Sequence, residues 1–159
     1  MFIRDSDQAA VATELANTLN LEIIGPHIGD KFLLDELEAQ GSMLGLSAQN
    51  CTPDQWLNDG EIVSVGNATL NVFLTPGHTP GHIIFFHEPS KLALVGDVLF
   101  AGSIGRTDLP GGNYTQLIES IKTKLWPLGE DIAFVPGHGP PSNFKVERSS
   151  NPFVSGNNL

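Results

Sequence analysis

The chain is poor in cysteine, poor in positive charge and lacks any long apolar run, and each shortage removes a class of function. Its single cysteine, Cys51, excludes an internal disulfide and fits a reducing cytoplasm. Cys51 also has no His or Cys close to it in sequence, so no nucleophilic or metal-binding role is expected of it. Eight basic residues against eighteen acidic ones leave a formal net charge of −10, which argues against nucleic acid and anionic membranes as partners. No apolar stretch approaches the ~18 residues of a membrane-spanning helix. Residues 1–10 have no apolar core of a signal peptide. Repeats and low-complexity tracts are absent as well. What is present is 40% apolar content in 159 residues, enough for one packed cytoplasmic domain over residues 1–159.

The pattern along the chain predicts an α/β domain. Ser6 or Asp7 can cap a helix over 6–19 in which Ala9, Ala12, Leu15, Ala16 and Leu19 recur at helical spacing. A strand is expected at 21–24 and a second helix at 31–39, ending at Gly41. Residues 41–60 read as a long irregular connection. Two hairpins follow, one turning at Gly66-Asn67 and one at Glu88-Pro89-Ser90. After a glycine-rich loop at 101–113, a helix is expected at 114–125 and a buried strand at 132–135. The tail from Ser142 to Leu159 is polar, with Asn-Pro punctuation, and no element is assigned to it.

The informative pattern repeats three times. Apolar runs lead into Gly77-His78, Gly96-Asp97 and Gly137-His138, so each buried strand ends in a glycine followed by a side chain able to bind metal. Strand ends are rigid anchors, and glycine lets the backbone turn sharply and approach an ion closely. Imidazole and carboxylate suit Zn²⁺, Fe²⁺ or Mn²⁺, and a carboxylate can bridge two ions. If the three strands share a sheet, His78, Asp97 and His138 converge on one edge. His82, four residues past His78, opens a strand and is expected to prop or pack rather than ligate. His27 and His87 lie beside turn residues and read as solvated. Arg106, in the glycine-rich loop, can contact an anionic substrate or pair with Asp108.

Four motifs together resemble the metallo-β-lactamase superfamily, and within it the glyoxalase II-like hydrolases. They are Thr75-Pro-Gly-His-Thr-Pro-Gly-His82, Gly96-Asp-Val-Leu-Phe100, Gly105-Arg-Thr-Asp-Leu-Pro-Gly-Gly112 and Pro136-Gly-His-Gly139, with Asn151-Pro-Phe153 closing the series. The resemblance implies an αββα sandwich with a dinuclear metal site on one edge. It implies His78 as a ligand of the first metal, His138 of the second, and Asp97 bridging both. It also implies zinc, with iron or manganese as alternatives, and a metal-held hydroxide attacking a small-molecule thioester or related acyl compound. Arg106 is the substrate-contact candidate.

The chain departs from the family's pattern at its start. A His-x-His-x-Asp-His motif aligns with residues 3–8, where Ile3, Asp5 and Gln8 replace the histidines and Asp7 keeps the aspartate position. Asp7 is therefore both a ligand candidate and a helix-cap candidate. The strands that precede the motif in the family are missing, so an N-terminally truncated sandwich is expected. Two readings follow: a metal-dependent hydrolase, or an inactive remnant or binding domain that self-associates through exposed sheet.

Overall fold

The computed structural model describes residues 6–43 and 49–156, the side chains of 6–11 and 40 excepted. The chain divides into two compact units, Met1–Leu57 and Asn58–Leu159.

In the first unit, α1 (Ser6–Leu19) forms over the residues expected of it. The predicted second helix is two: α2 (Lys31–Asp35) and α3 (Leu37–Met43), separated at Glu36, which leaves helical geometry at ψ 4°. Helix α3 runs through Gly41 rather than ending there. The expected strand at 21–24 is reduced to one bridge, Ile24 to Gln55 in parallel. Leu21 stays half exposed, and among the described residues no adjacent strand offers a ladder for the rest of the segment. Ala12, Ala16, Ile23, Leu34, Leu37 and Cys51 make this unit's core, with Trp56 packed on it.

The second unit is built on a mixed six-stranded sheet. Its strands are β1 (Ile62–Val65), β2 (Ala68–Leu74), β3 (Ile83–His87), β4 (Leu92–Gly96), β7 (Ala133–Pro136) and β8 (Ser142–Asn143), lying side by side in that order. A separate two-stranded ribbon, β5 (Leu99–Phe100) and β6 (Ser103–Ile104), falls between β4 and β7 in sequence. Both predicted hairpins form, turning at the residues expected. Strands β1 to β4 are successively antiparallel, β4 pairs with β7 in parallel, and β8 returns antiparallel to β7. In β3, Ile83, Ile84, Phe85 and Phe86 are all buried, so this strand is covered on both faces.

The crossover from β4 to β7 carries α4 (Tyr114–Ser120), capped by the Asn113 side chain accepting from the Gln116 N–H at 3.0 Å. The helix continues as a π turn over Ile121–Leu125 and a 3₁₀ turn over Trp126–Leu128. Leu117, Ile121 and Leu125 are fully buried against Ile84, Phe86, Ala93 and Val95 of the sheet. Each such side chain contributes about 1.5–3 kcal/mol through burial. The polar tail, to which the sequence pattern assigns no element, forms α5 (Phe144–Ser150), capped by Asn143. Phe144 packs 5.7 Å from Phe134 and 5.6 Å, edge to face, from Trp126. Among the described residues, no helix is long and apolar enough to cross a membrane.

Candidate metal centre

The sheet order places the three strand-end motifs together. Strands β2 and β4 both run antiparallel to β3, and β7 runs parallel to β4, so β2, β4 and β7 finish at the same edge. Gly77-His78, Asp97 and Gly137-His138 all follow those ends.

Asp97 occupies the middle. Its Oδ1 accepts from His138 Nδ1 at 3.1 Å, and its Oδ2 lies 3.9 Å from His78 Nε2, further than a hydrogen bond spans. His78 and Asp97 are buried, at 4% and 6% exposure, whereas 59% of the His138 side chain is open to solvent. His78 Nδ1 lies 2.8 Å from the backbone carbonyl of Arg106. A carbonyl only accepts, so His78 carries a proton on Nδ1, and its Nε2 is turned towards Asp97.

Glycine makes this approach possible at two points. A Cβ on Gly137 would meet the Asp97 carboxylate, and one on Gly105 would meet the Asp97 carbonyl. Gly137 is further tied by its N–H to the Gly96 carbonyl at 2.8 Å. The loop of 75–82 is anchored to α4, because Ser120 Oγ donates to the Pro76 carbonyl and the Asn113 N–H donates to the Gly77 carbonyl, both at 2.7 Å.

His82 supports the centre from behind. It is buried, and its Nε2 accepts the Asp97 backbone N–H at 3.2 Å. Its Nδ1 sits 3.4 Å from Thr75 Oγ1. The side chain of Arg106 does not reach the centre. It forms a two-pronged ion pair with Asp108, at 2.8 and 2.7 Å, on the surface. That pair holds the Asp108 carboxyl down at about 2, chiefly through the hydrogen bond from Arg106. His27 caps a 3₁₀ turn by accepting from the Gly29 N–H, and His87 pairs with Ser90 Oγ at 2.6 Å. Ile3 and Asp5 lie outside the described residues. Asp7 and Gln8 fall in the first turn of α1, with side chains outside the described residues.

His78, Asp97 and His138 are donors of the kind that suits Zn²⁺, Fe²⁺ or Mn²⁺, and each oxygen of the carboxylate faces a different imidazole. They fit a metal in kind. In number they fall short, since no group of three or more His, Cys, Asp or Glu gathers as a ligand set among the described residues.

Comparison with known proteins agrees with the fold and the motifs. The metallo-beta-lactamase superfamily matches residues 5–138, and the chain belongs to that superfamily. The hydroxyacylglutathione hydrolase GloC of Haemophilus influenzae is 43% identical over 151 residues, covering 94% of this chain and 71% of that protein. The probable metallo-hydrolase YqgX of Bacillus subtilis is 39% identical over 124 residues, covering 77% and 58%. Among solved structures, BLEG-1 B3 metallo-beta-lactamase superposes with a TM-score of 0.85 at 31% identity, over 98% of this chain and 76% of that one. TTHA1623 in a di-iron-bound form superposes at 0.84 with 29% identity, over 96% and 76%. The α/β architecture expected from the motifs is therefore the observed one, and the superfamily is one of metal-dependent hydrolases.

Proposed function

We propose that this chain hydrolyses a small thioester or related acyl compound at the β2–β4–β7 edge, with His78, Asp97 and His138 holding metal. The observation that carries the reading is the Asp97 carboxylate set between two imidazoles, each delivered by a strand end of common direction. The relative named for hydroxyacylglutathione hydrolysis supports a glutathione thioester as the first substrate to try. The chemistry supplied by metal bound there is a water of lowered pKa and a polarised acyl carbonyl. The chain's own part is positioning. The Arg106 carbonyl orients His78, the His82 ring holds the Asp97 backbone, and Gly105 and Gly137 let other backbone close on Asp97. Zinc is the preferred metal, and the di-iron neighbour supports iron as the alternative.

The test is hydrolysis of a hydroxyacyl-glutathione thioester by the purified chain, with and without a chelator and with Asp97→Ala. Loss of activity by at least about 100-fold in both cases is expected. Activity indifferent to both would overturn the reading. The incomplete donor set among the described residues favours a second reading, an inactive binding domain. Elemental analysis separates the two, because the second requires a purified chain without stoichiometric metal.

The same reading places the chain in the cytoplasm as one domain across residues 1–159, without nucleic acid or membrane partners, in keeping with its charge of −10. Asp7 is proposed as a further ligand on its motif position alone. Arg106 becomes a substrate contact only by exchanging Asp108 for an anionic substrate group. Ile62 and Val65, exposed on the edge strand β1, are the proposed route of any self-association.

A further inference from the structure

The helix that sequence patterning misses, α5, carries two buried polar side chains that reach the loop behind the metal centre. Glu147 is 2% exposed and Asn151 is fully buried. Glu147 Oε2 accepts from the Gly102 N–H at 2.8 Å and from Asn151 Nδ2 at 2.8 Å, while its Oε1 accepts from Ser142 Oγ at 2.5 Å. The Asn151 amide also donates to the carbonyls of Ser103 at 3.0 Å and Phe100 at 3.4 Å. A buried carboxylate is tolerated where charge-assisted hydrogen bonds replace water, and these donors do so. The Asn151 oxygen accepts from the Phe153 N–H at 3.0 Å, and the other backbone groups engaged belong to the β5–β6 ribbon and its turn. From that ribbon the chain runs through Gly105, whose N–H donates to the Val98 carbonyl, to the Arg106 carbonyl that accepts from His78.

We propose that Glu147 and Asn151 are positioning residues. They fix the β5–β6 ribbon so that the Arg106 carbonyl holds His78 with its proton on Nδ1 and its Nε2 towards Asp97. The ribbon is held at its tip by α5, along its length by Leu99 and Ile104 against the core, and at Gly105, where there is no room for a side chain against the Asp97 carbonyl. Releasing the tip removes the polar anchor from a segment whose carbonyl must stay within about 3.2 Å of an imidazole nitrogen to accept its proton. The consequence for metal binding rests on the hydrolase reading; the consequence for the imidazole does not.

The experiment records ¹H–¹⁵N spectra of the metal-free full chain labelled in its histidines, with His78→Gln used to assign the His78 signals. In the wild type, His78 is expected as a single Nδ1–H tautomer. Glu147→Ala is expected to average the two nitrogens of His78, and Glu147→Gln, which keeps the shape and an acceptor, to restore the fixed tautomer. Metal affinity should fall 10- to 100-fold in Glu147→Ala and recover in Glu147→Gln. A folded Glu147→Ala with the wild-type His78 tautomer overturns the proposal. Should that variant fail to fold, heating the wild type supplies the readout. The Gly102 amide and the His78 tautomer must then lose their native signatures together, and His78 remaining fixed after Gly102 opens overturns it. A fixed tautomer in a wild type that binds no metal defeats the hydrolase reading and leaves the positioning intact.

Discussion

The backbone N–H of Asp97 donates to Nε2 of His82 across 3.2 Å, so the second histidine of the Thr75–His82 motif grips the main chain of the central carboxylate. His82→Ala leaves that buried N–H without its acceptor, which costs about 1–3 kcal/mol. Thermal melts should show this loss, and under the proposed function thioester hydrolysis should fall about 10- to 100-fold. His82→Gln, able to accept through its amide oxygen, should recover part of both. Equal damage from the two variants would deny the hydrogen bond its role.

Gly137 lies against the Asp97 carboxylate, and Gly139, two residues on, faces open space with φ +81°. Gly137→Ala must displace the carboxylate or the strand end, and overpacking of this sort costs about 1–3 kcal/mol. Gly139→Ala meets only backbone strain, of the order of 1 kcal/mol. Only the first should also weaken metal binding, as measured by calorimetric titration.

The Arg106–Asp108 pair sets an acid-side dependence of stability. The Asp108 carboxyl, ordinarily near 3.8, is lowered to about 2 in the folded chain. Its contribution is therefore complete above about pH 4 and is lost as the pH falls through about 2. Both partners are exposed, so the effect is small and shrinks in high salt. Urea unfolding between pH 4 and pH 2 should lose part of its pH slope in Asp108→Asn, and an unchanged slope would contradict the assignment.

Cys51 is 2% exposed, and burial, ahead of the Asp54 charge, pushes its thiol above the ordinary value, against a smaller opposing hydrogen bond involving Thr13. A thiol-directed reagent at mildly alkaline pH should label it only as fast as the first unit opens. Rapid labelling of the native chain would show that the cysteine is accessible.

The strand-end motifs were legible because glycine followed by a ligating residue after an apolar run is written in side-chain identity. Their convergence needed the parallel pairing of β4 with β7, and the strand expected to be buried at 132–135 buries only one face, Ile132 and Phe134, while Ala133 and Val135 stay exposed. The α5 helix was hidden for a physical reason. Its inward positions are Phe144 and Glu147, followed at the cap by Asn151, so two of the three buried side chains are polar and the apolar stripe is missing. The part played by Arg106 was illegible in another sense. Its carbonyl orients His78, and a carbonyl belongs to every residue type, so the identity of the side chain carries no signal of that role. The break of the expected 31–39 helix at Glu36 and the π turn at 121–125 likewise leave no mark in apolar spacing.

The contact between Asp97 and His138 joins residues 41 apart, because the ribbon and the whole of the α4 crossover intervene between β4 and β7. Closing a loop of that length has an entropy cost that local hairpins do not meet, and it slows the search for the native pairing. The β2–β3–β4 meander can assemble from neighbours, but the imidazole of His138 reaches its carboxylate only when β7 docks. In a refolding time course, the His138 signal should therefore recover no earlier than protection of the β7 amides, which makes this edge of the sheet a clock for the sheet's completion.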